Sequence, residues 1–176
     1  MEIYLIRHTT PLTKKGLIYG RSEVPLADTF EQEQAGILRQ LPVKLDVVYS
    51  SPSVRCVSLA QSISNLYLTD NALYEMNFGD WEGENWDTVD REDSETWMKD
   101  FVNLAPPNGE SMLVMQDRVL KFWGQVTTLP HKNVAIVTHA GVIRIILANN
   151  RKLGLKNVFD IKVGFGEVFR LTVSSG

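Results

Sequence analysis

The chain has 176 residues, of which 44% are hydrophobic and 22% charged, and its formal net charge is -3. This length and apolar content predict one globular domain over residues 1–176. Charges of both signs are scattered, and no apolar run approaches the roughly 18 residues of a membrane span. The composition therefore excludes a basic nucleic-acid footprint and a membrane helix. With no leader-like amino terminus, it predicts a cytoplasmic protein.

The first six residues form an apolar run rich in branched and aromatic side chains, which predicts a buried strand. Arg7 and His8 follow at its carboxyl end, where open α/β sheets bind ligands. A neutral imidazole beside a fixed cation suits nucleophilic attack on an anionic group. Taken alone, the pair is more typical of a histidine that caps a strand next to a solvated arginine.

Residues 12–26 have no clear hydrophobic period and predict a long loop leaving this strand end. Within it, Tyr19, Gly20, Arg21 and Ser22 combine an aromatic face, a flexible backbone, a cation and a hydroxyl. This combination suits contact with a polar substrate, although an ordinary surface turn has a similar composition.

A helix is predicted next, and its limits follow from capping residues. Asp28 followed by Glu31 predicts its start, and Pro42 predicts its end. A second short strand over residues 45–49 then leads into another helix that runs to about residue 66.

Arg55 lies in the first turn of the second helix, where backbone N–H groups and the helix dipole favour an anion. A cation is disfavoured there, so we predict that Arg55 binds a phosphate group; the alternative is an arginine lying across the helix surface. Cys56 has apolar neighbours and is predicted to be a buried structural thiol. Since the chain has one cysteine and three histidines, we predict neither a metal site nor a cofactor.

Residues 73–83 are dense in acids, aromatics and glycines. A carboxylate among bulky aromatics can have a raised pKa, as a general acid requires, but residue types alone do not rank Glu75, Asp80 and Glu82. Residues around 76–109 continue with acidic helical pieces and tryptophans. We predict that they form a small cap-like insertion over the site.

A long helix is predicted over residues 110–129, with core positions at Leu113, Val119, Leu120, Trp123 and Val126. An apolar strand then ends in His139, and Ala140 begins a helix. Residues 167–173 predict a final edge strand. Because strands alternate with helices, the chain predicts a three-layer α/β/α sandwich with a mostly parallel sheet.

Three predicted strand ends now carry polar side chains: Arg7 with His8, Arg55, and His139. Carboxyl ends of parallel strands meet at one edge of a sheet, so these side chains are expected to converge. Two histidines and two arginines with a nearby acid form a pocket for a phosphoryl group with a built-in nucleophile.

These motifs resemble the histidine phosphatase superfamily, whose fold is phosphoglycerate mutase-like. The resemblance rests on the Arg7–His8 strand end, Arg55 after a Ser-Ser-Pro turn, Glu75 in its acidic segment, and residues 138–141, in the family's order. Within the family, the chain looks most like α-ribazole phosphatases, through residues 7–11, 19–30 and 78–83.

The first motif departs from the commoner family pattern. Thr9 and Thr10 occupy the positions of a glycine and an acid, and the asparagine that usually follows is not evident. The hydroxyl of Thr9 could take the place of that asparagine in binding phosphate.

The resemblance implies that His8 attacks phosphorus and becomes phosphorylated, and that Glu75 protonates the leaving alkoxide. It implies a small-molecule phosphate monoester as the partner, with α-ribazole 5'-phosphate of cobalamin nucleotide-loop assembly as the expected substrate. Aromatic faces at Tyr19 and at Trp81, Trp86 and Trp97 would suit its flat base. The predicted substrate-binding residues are Arg7, Thr9, Tyr19, Gly20, Arg21, Arg55, His139 and Ala140.

Three alternatives stay open. The chain could be a broad-specificity phosphatase or a phosphoglycerate mutase of the same family. It could also be an inactive protein that binds a phosphorylated ligand, although the presence of both His8 and Glu75 argues against a loss of catalytic activity.

Overall fold

The computed structural model describes residues 1–173, which build a five-stranded sheet in the order β3-β2-β4-β1-β5. The strands are β1 (Glu2–Arg7), β2 (Val47–Ser50), β3 (Leu68–Thr69), β4 (Asn133–Thr138) and β5 (Val168–Thr172). The first four are mutually parallel, and β5 pairs antiparallel with β1. The predicted α/β fold with a mostly parallel sheet and a final edge strand is confirmed.

Helices cover both faces of this sheet. They are α1 (Phe30–Leu38), α2 (Val54–Ile63), α3 (Arg91–Lys99), α4 (Met112–Thr127) and α5 (Ala140–Asn150). Single 3-10 turns occur at Asn71–Leu73, Gly79–Trp81 and Leu155–Asp160.

Side chains alternate along the central strands, so each strand contributes to two cores. In β1, Ile3 and Leu5 belong to the core with α4 and α5, whereas Tyr4 and Ile6 belong to the core with α1 and α2. Strand β4 divides its residues in the same way. This alternation produces the predicted three layers.

Some predicted helix limits were wrong. The residue that caps α1 is Thr29 and not Asp28; its hydroxyl bonds the side chain of Glu33 instead of a backbone N–H. Helix α1 ends at Leu38, before Pro42 can end it. Leu113 is 44% exposed, because α4 turns Met112 and Met115 toward the core instead.

The segment predicted as a cap contains one α-helix, α3, and the 3-10 turn Gly79–Trp81, where acidic helical pieces were expected. Its backbone pairs with the long loop after β1: the Ile18 N–H donates to Glu84, and the Gly83 N–H donates to Ile18. This pairing places the loop and the segment around 76–109 side by side near the carboxyl ends of the strands. Within residues 1–173, no helix is long and apolar enough to cross a membrane.

Candidate active site

His8 follows β1 directly and is 1% exposed. Its Nδ1 atom lies 2.8 Å from the carbonyl oxygen of Thr9, and since a carbonyl can only accept, Nδ1 carries the proton. The Nε2 atom therefore keeps its lone pair. Burial, together with the charges of Arg55 and Arg7, lowers the pKa of His8 from 6.5 to about 3, so the ring is neutral at pH 7.

Arg7 ends β1 and is held by the loop that precedes β5. Its Nη1 donates to the Val163 carbonyl at 2.6 Å, and its guanidinium carbon lies 3.7 Å from the ring centre of Phe165. The Phe165 ring also packs 5.6 Å from the His8 ring. Phe165 therefore positions both residues. The sequence analysis missed it because it follows no motif.

Arg55 is fully buried in the first turn of α2. Its Nη1 donates to the Ser22 carbonyl at 3.0 Å, and its Nη2 donates to the Gly20 carbonyl at 2.6 Å. Within the described residues, neither Arg55 nor Arg7 forms an ion pair with a carboxylate. Two largely buried cations without a counter-charge favour an anionic ligand.

His139 follows β4 and meets the same cluster. Its Nδ1 lies 3.3 Å from Arg55 Nη2 and accepts that hydrogen bond, while its Nε2 donates to the Ser51 hydroxyl at 2.8 Å. The rings of His139 and His8 are 5.2 Å apart. Burial, His8 and Arg55 hold the pKa of His139 well below its ordinary value. The structure thus brings together the predicted strand-end residues.

Cys56 is buried, as predicted, with its sulfur 3.6 Å from His139 Nε2. Burial raises the pKa of this thiol, which keeps it protonated. Cys56 therefore packs against His139 as a structural residue.

Buried polar atoms without partners concentrate at these strand ends. Within the described chain they are Arg7 Nε, Thr9 Oγ1, Ser53 Oγ, Arg55 Nε and Trp97 Nε1. A buried donor without an acceptor costs about 1–3 kcal/mol. Phosphoryl oxygens are acceptors and would satisfy both guanidinium N–H groups and the Thr9 hydroxyl.

Glu75 is the acid that the structure places beside this cluster. Its carboxylate accepts the N–H of Gly141 at 3.1 Å and the N–H of Met76 at 2.9 Å, so it lies at the start of α5, next to His139. Asp80 is exposed and accepts from the Asn108 amide. The three carboxylates that the sequence left unranked are therefore separated by position.

Glu82 binds the long loop instead of facing the histidines. Its carboxylate accepts the N–H groups of Arg21 and Ser22 at 3.0 and 2.8 Å. The carbonyls of Gly20 and Ser22, in this loop, are the ones that hold Arg55. Glu82 therefore supports Arg55 indirectly, through the loop that holds its guanidinium.

Sequence reasoning missed a buried ion pair behind Glu75. Arg118 in α4 bonds the carboxylate of Glu110 at 2.7 Å and donates to the carbonyls of Tyr74 at 2.8 Å and Glu75 at 3.1 Å. Burial raises the pKa of Glu110, but the hydrogen bond and charge of Arg118 outweigh it and leave the pKa below its ordinary value. The feature of the sequence that could have indicated this ion pair is Arg118 itself, an arginine in a predicted helix of largely apolar residues.

The remaining predicted substrate-binding residues have mixed positions. Tyr19 lies under Arg55, with 5.1 Å between the Arg55 guanidinium carbon and the ring centre. Arg21 turns its guanidinium toward Glu110, at 3.1 Å, and the Glu75 carbonyl, at 3.3 Å. Ala140 is buried at the first position of α5.

A neutral histidine lies beside a second histidine, a carboxylate and two arginines that have no carboxylate partner within residues 1–173. This arrangement defines a phosphoryl-transfer type of site on an α/β fold. The model of the histidine phosphatase superfamily (branch 1) matches residues 3–176, and the chain belongs to this family.

Individual relatives carry different names. The chain is 31% identical over 169 residues to "Putative phosphoserine phosphatase 2" of Hydrogenobacter thermophilus, covering 91% of this chain and 83% of the relative. It is 29% identical to a 2,3-bisphosphoglycerate-dependent phosphoglycerate mutase of Bartonella tribocorum, covering 82% and 79%. The crystal structure of the α-ribazole phosphatase from Shigella flexneri superposes with a TM-score of 0.91 at 25% identity, covering 99% of this chain and 91% of that one.

Proposed function

We propose that this protein hydrolyses phosphate monoesters through a phosphohistidine on His8, and that its substrate is α-ribazole 5'-phosphate. The observation that carries the chemistry is the hydrogen bond from His8 Nδ1 to Thr9 at 2.8 Å. It leaves a neutral Nε2 beside two arginines that no carboxylate pairs within the described chain.

In the first step, Nε2 of His8 forms a bond to phosphorus while the bond to the ester oxygen breaks. The carboxyl of Glu75 gives its proton to the leaving alkoxide. In the second step, the oxygen of a water molecule forms a bond to phosphorus while the bond between phosphorus and Nε2 of His8 breaks, Glu75 takes a proton from that water, and inorganic phosphate leaves. Covalent catalysis divides one difficult displacement into two.

The charge that develops on the phosphoryl oxygens is stabilised by Arg7, Arg55 and His139. Phosphate monoesters are among the most inert substrates known, and the required acceleration reaches about 10²¹-fold. Most of it must come from preorganised donors and positioning. The buried Arg55, held by two backbone carbonyls and touching His139, supplies such a preorganised donor.

The choice of α-ribazole 5'-phosphate is supported by the likeness to the α-ribazole phosphatase from Shigella flexneri over nearly the whole of this chain. Of the sequence motifs that resemble this group, the one around Arg7 lies at the site itself, and the one around Gly79 contains Glu82, which binds the loop that holds Arg55.

Phosphoserine is a second candidate. The relative at 31% identity bears a phosphoserine phosphatase name, and Arg144 offers a specific observation in favour. Arg144 is partly buried and lines a small cavity together with Glu75 and Gly141. A cation beside the general acid could pair with the carboxylate of an amino-acid substrate.

The test measures kcat/KM of the purified protein for α-ribazole 5'-phosphate, phosphoserine and 3-phosphoglycerate. We expect α-ribazole 5'-phosphate to be preferred by at least about tenfold, the effect of one good ring-stacking contact. Preference for phosphoserine would support the second candidate, and comparable values would indicate a broad phosphatase. Conversion of 3-phosphoglycerate to its 2-isomer would indicate a mutase.

The mechanism has its own control. Radiolabelled substrate quenched in alkali should leave label on the wild-type protein and none on His8→Ala, and EDTA should leave the rate unchanged. If His8→Ala retains appreciable activity, the nucleophile is another group. A wild-type protein that binds phosphate without releasing it from any ester would be an inactive binding protein.

A further inference from the structure

A large cavity of about 520 Å³ opens between α3 and the 3-10 turn Leu155–Asp160. Trp86 and Trp97 are nearly parallel on one side, with their planes 28° apart and their centres 5.8 Å apart. Trp97 also belongs to the buried core, which makes this wall rigid. The apolar lining residues are Phe78, Trp86, Trp97, Met98, Phe101 and Phe159.

Two smaller cavities beside Glu75 share lining residues with this aromatic cavity. One of about 120 Å³ is lined by Glu75, Tyr19, Phe78 and Trp86. The other, of about 80 Å³, is lined by Glu75, Phe78, Arg144 and Phe159, among others. Phe78, Trp86 and Phe159 are thus shared walls between the side of Glu75 and the aromatic cavity.

The direction in which a substrate extends follows from the chemistry. The phosphoryl group must lie between Arg7, His8 and Arg55, and a general acid must contact the ester oxygen. The alcohol that leaves therefore extends from Glu75 on the side away from His8. Phe78, Trp86 and Phe159 line both the aromatic cavity and the small cavities beside Glu75, so this direction is toward the aromatic cavity.

We propose that the aromatic cavity binds the ring-bearing end of the leaving alcohol. This inference rests on the proposed function and assigns a binding place to the ring of its substrate class, phosphate monoesters with a polar linker that ends in a flat apolar ring system. The linker would pass Glu75 and Arg144, which are polar, and the ring would stack within the aromatic walls. Concave, mostly apolar pockets of a few hundred Å³ are the usual sites for such groups.

This site includes Trp86 and Trp97 of the aromatic surface that the sequence predicted, but not Trp81 or Tyr19. Trp81 is 6% exposed and does not line the cavity, and Tyr19 lies under Arg55, near the phosphate. Phe101 and Phe159, which the sequence analysis did not associate with substrate, contact each other edge-on at 4.8 Å between ring centres and complete the wall.

The experiment compares naphthylethyl phosphate with ethyl phosphate. Both release a primary alkoxide, so the demand on Glu75 is matched and the ratio of their kcat/KM values reports the ring. We expect a ratio of at least about ten in the wild type, since stacking on an aromatic side chain contributes that much per ring. Trp86→Ala and Met98→Glu should lower the ratio toward one, the first by removing a wall and the second by placing a charge in it.

Leu66→Ala is the matched control, because Leu66 is 85% exposed and lies outside the cavity. It should leave both substrates unchanged. A wild-type ratio near one, or a ratio that neither Trp86→Ala nor Met98→Glu changes, would overturn the proposal while leaving the phosphatase chemistry intact.

A binding measurement separates this proposal from the proposed function. Naphthylpropyl phosphonate has a carbon in place of the ester oxygen and cannot be hydrolysed. Calorimetry should show that it binds at least about tenfold more tightly than propyl phosphonate, and that Trp86→Ala removes the difference. If no monoester is hydrolysed but this difference holds, the proposed function fails and the cavity assignment stands. Equal binding, with a dimer that Met98→Glu dissociates, would instead assign the cavity to a second copy of the chain.

Discussion

The carboxylate of Glu75 accepts the backbone N–H of Gly141 at 3.1 Å, which joins the proposed general acid to the first turn of α5. The same turn follows His139, so the acid and the second histidine are positioned by one helix start. The hydrogen bond to the start of α5 therefore fixes the position of the Glu75 carboxyl group. The contact also requires a residue without a side chain at position 141.

We predict that Gly141→Ala lowers activity without destabilising the fold. A Cβ at this position would overlap Oε1 of Glu75 and lie 3.0 Å from Met115 Cε, so the acid must move. Alanine is favoured over glycine inside a helix by about 1 kcal/mol, and stability should not fall on that account. We expect at least about a tenfold loss of kcat on an alkyl phosphate, as expected when a general acid is misplaced.

Gly124→Ala is the matched control, because Gly124 lies inside α4 and a Cβ there meets nothing within 4 Å. Gly124→Ala should have the activity of the wild type and a melting temperature equal to or higher than that of the wild type. If Gly141→Ala is as active as Gly124→Ala, the position of Glu75 does not limit the reaction.

Replacing Glu75 by glutamine should separate two kinds of substrate. An alkyl phosphate needs a proton on its leaving oxygen, whereas p-nitrophenol leaves readily as an anion. We expect Glu75→Gln to lose about 10²–10⁴-fold in kcat on the alkyl phosphate and far less on p-nitrophenyl phosphate. Asp80→Asn, whose parent side chain is exposed, should retain both activities. Equal losses on the two substrates would shift the acid role to Asp80 or Glu82.

Stability should fall as the pH falls below about 6.5. The folded protein resists protonation of His8, with a pKa of about 3, while the unfolded chain binds that proton near 6.5. His139 has a lowered pKa as well and acts in the same direction. Between these pKa values the unfolded chain holds the extra proton, so each histidine costs about 1.4 kcal/mol of unfolding free energy per pH unit.

Urea unfolding at pH 7 and 5.5 measures this dependence in a range where most carboxylates stay ionised. The His8→Gln variant should show a shallower fall than the wild type, since one titrating group is gone. A wild-type free energy of unfolding that is flat between these two pH values would contradict the buried neutral state of both histidines.

The strand ends could be predicted because a sharp change from apolar to polar residues marks them. Arg7, His8 and His139 each follow such a run, and parallel strands bring their carboxyl ends to one edge. Arg118 and Glu110 could not be found in this way, since Arg118 contacts Glu75 through the Glu75 backbone carbonyl and Glu110 pairs with Arg118. Every residue has a backbone carbonyl, so a contact to a carbonyl leaves no pattern of residue types in the sequence.

The choice of general acid among three carboxylates could not be predicted from the sequence for a similar reason. Glu75, Asp80 and Glu82 lie within one short segment of similar composition, and only the turn Gly79–Trp81 sends their carboxylates to different places. That turn is closed by a contact 27 residues further along the chain, where the Asp80 N–H donates to the Pro107 carbonyl at 2.9 Å. Long-range contacts of this kind leave no local pattern.

Glu82 should act on phosphate binding through Arg55. Its carboxylate binds the N–H groups of Arg21, Ser22 and Phe78, and so fixes the loop whose carbonyls hold the Arg55 guanidinium. Glutamine keeps the shape but has one acceptor oxygen, and its NH₂ would face backbone donors. We expect Glu82→Gln to destabilise the fold by about 1–3 kcal/mol and to weaken inhibition by inorganic phosphate by at least about tenfold.

The phosphate inhibition constant, measured well below the melting temperature, distinguishes positioning of Arg55 from a general loss of stability. Glu84→Gln is the control, because Glu84 is exposed and its carboxylate accepts only from the Thr88 hydroxyl within the described chain. It should leave both the inhibition constant and the unfolding free energy unchanged. A Glu82→Gln variant that is less stable but binds phosphate as tightly as Glu84→Gln would show that the loop does not position Arg55, whose three hydrogen bonds to Ser22, Gly20 and His139 would then suffice.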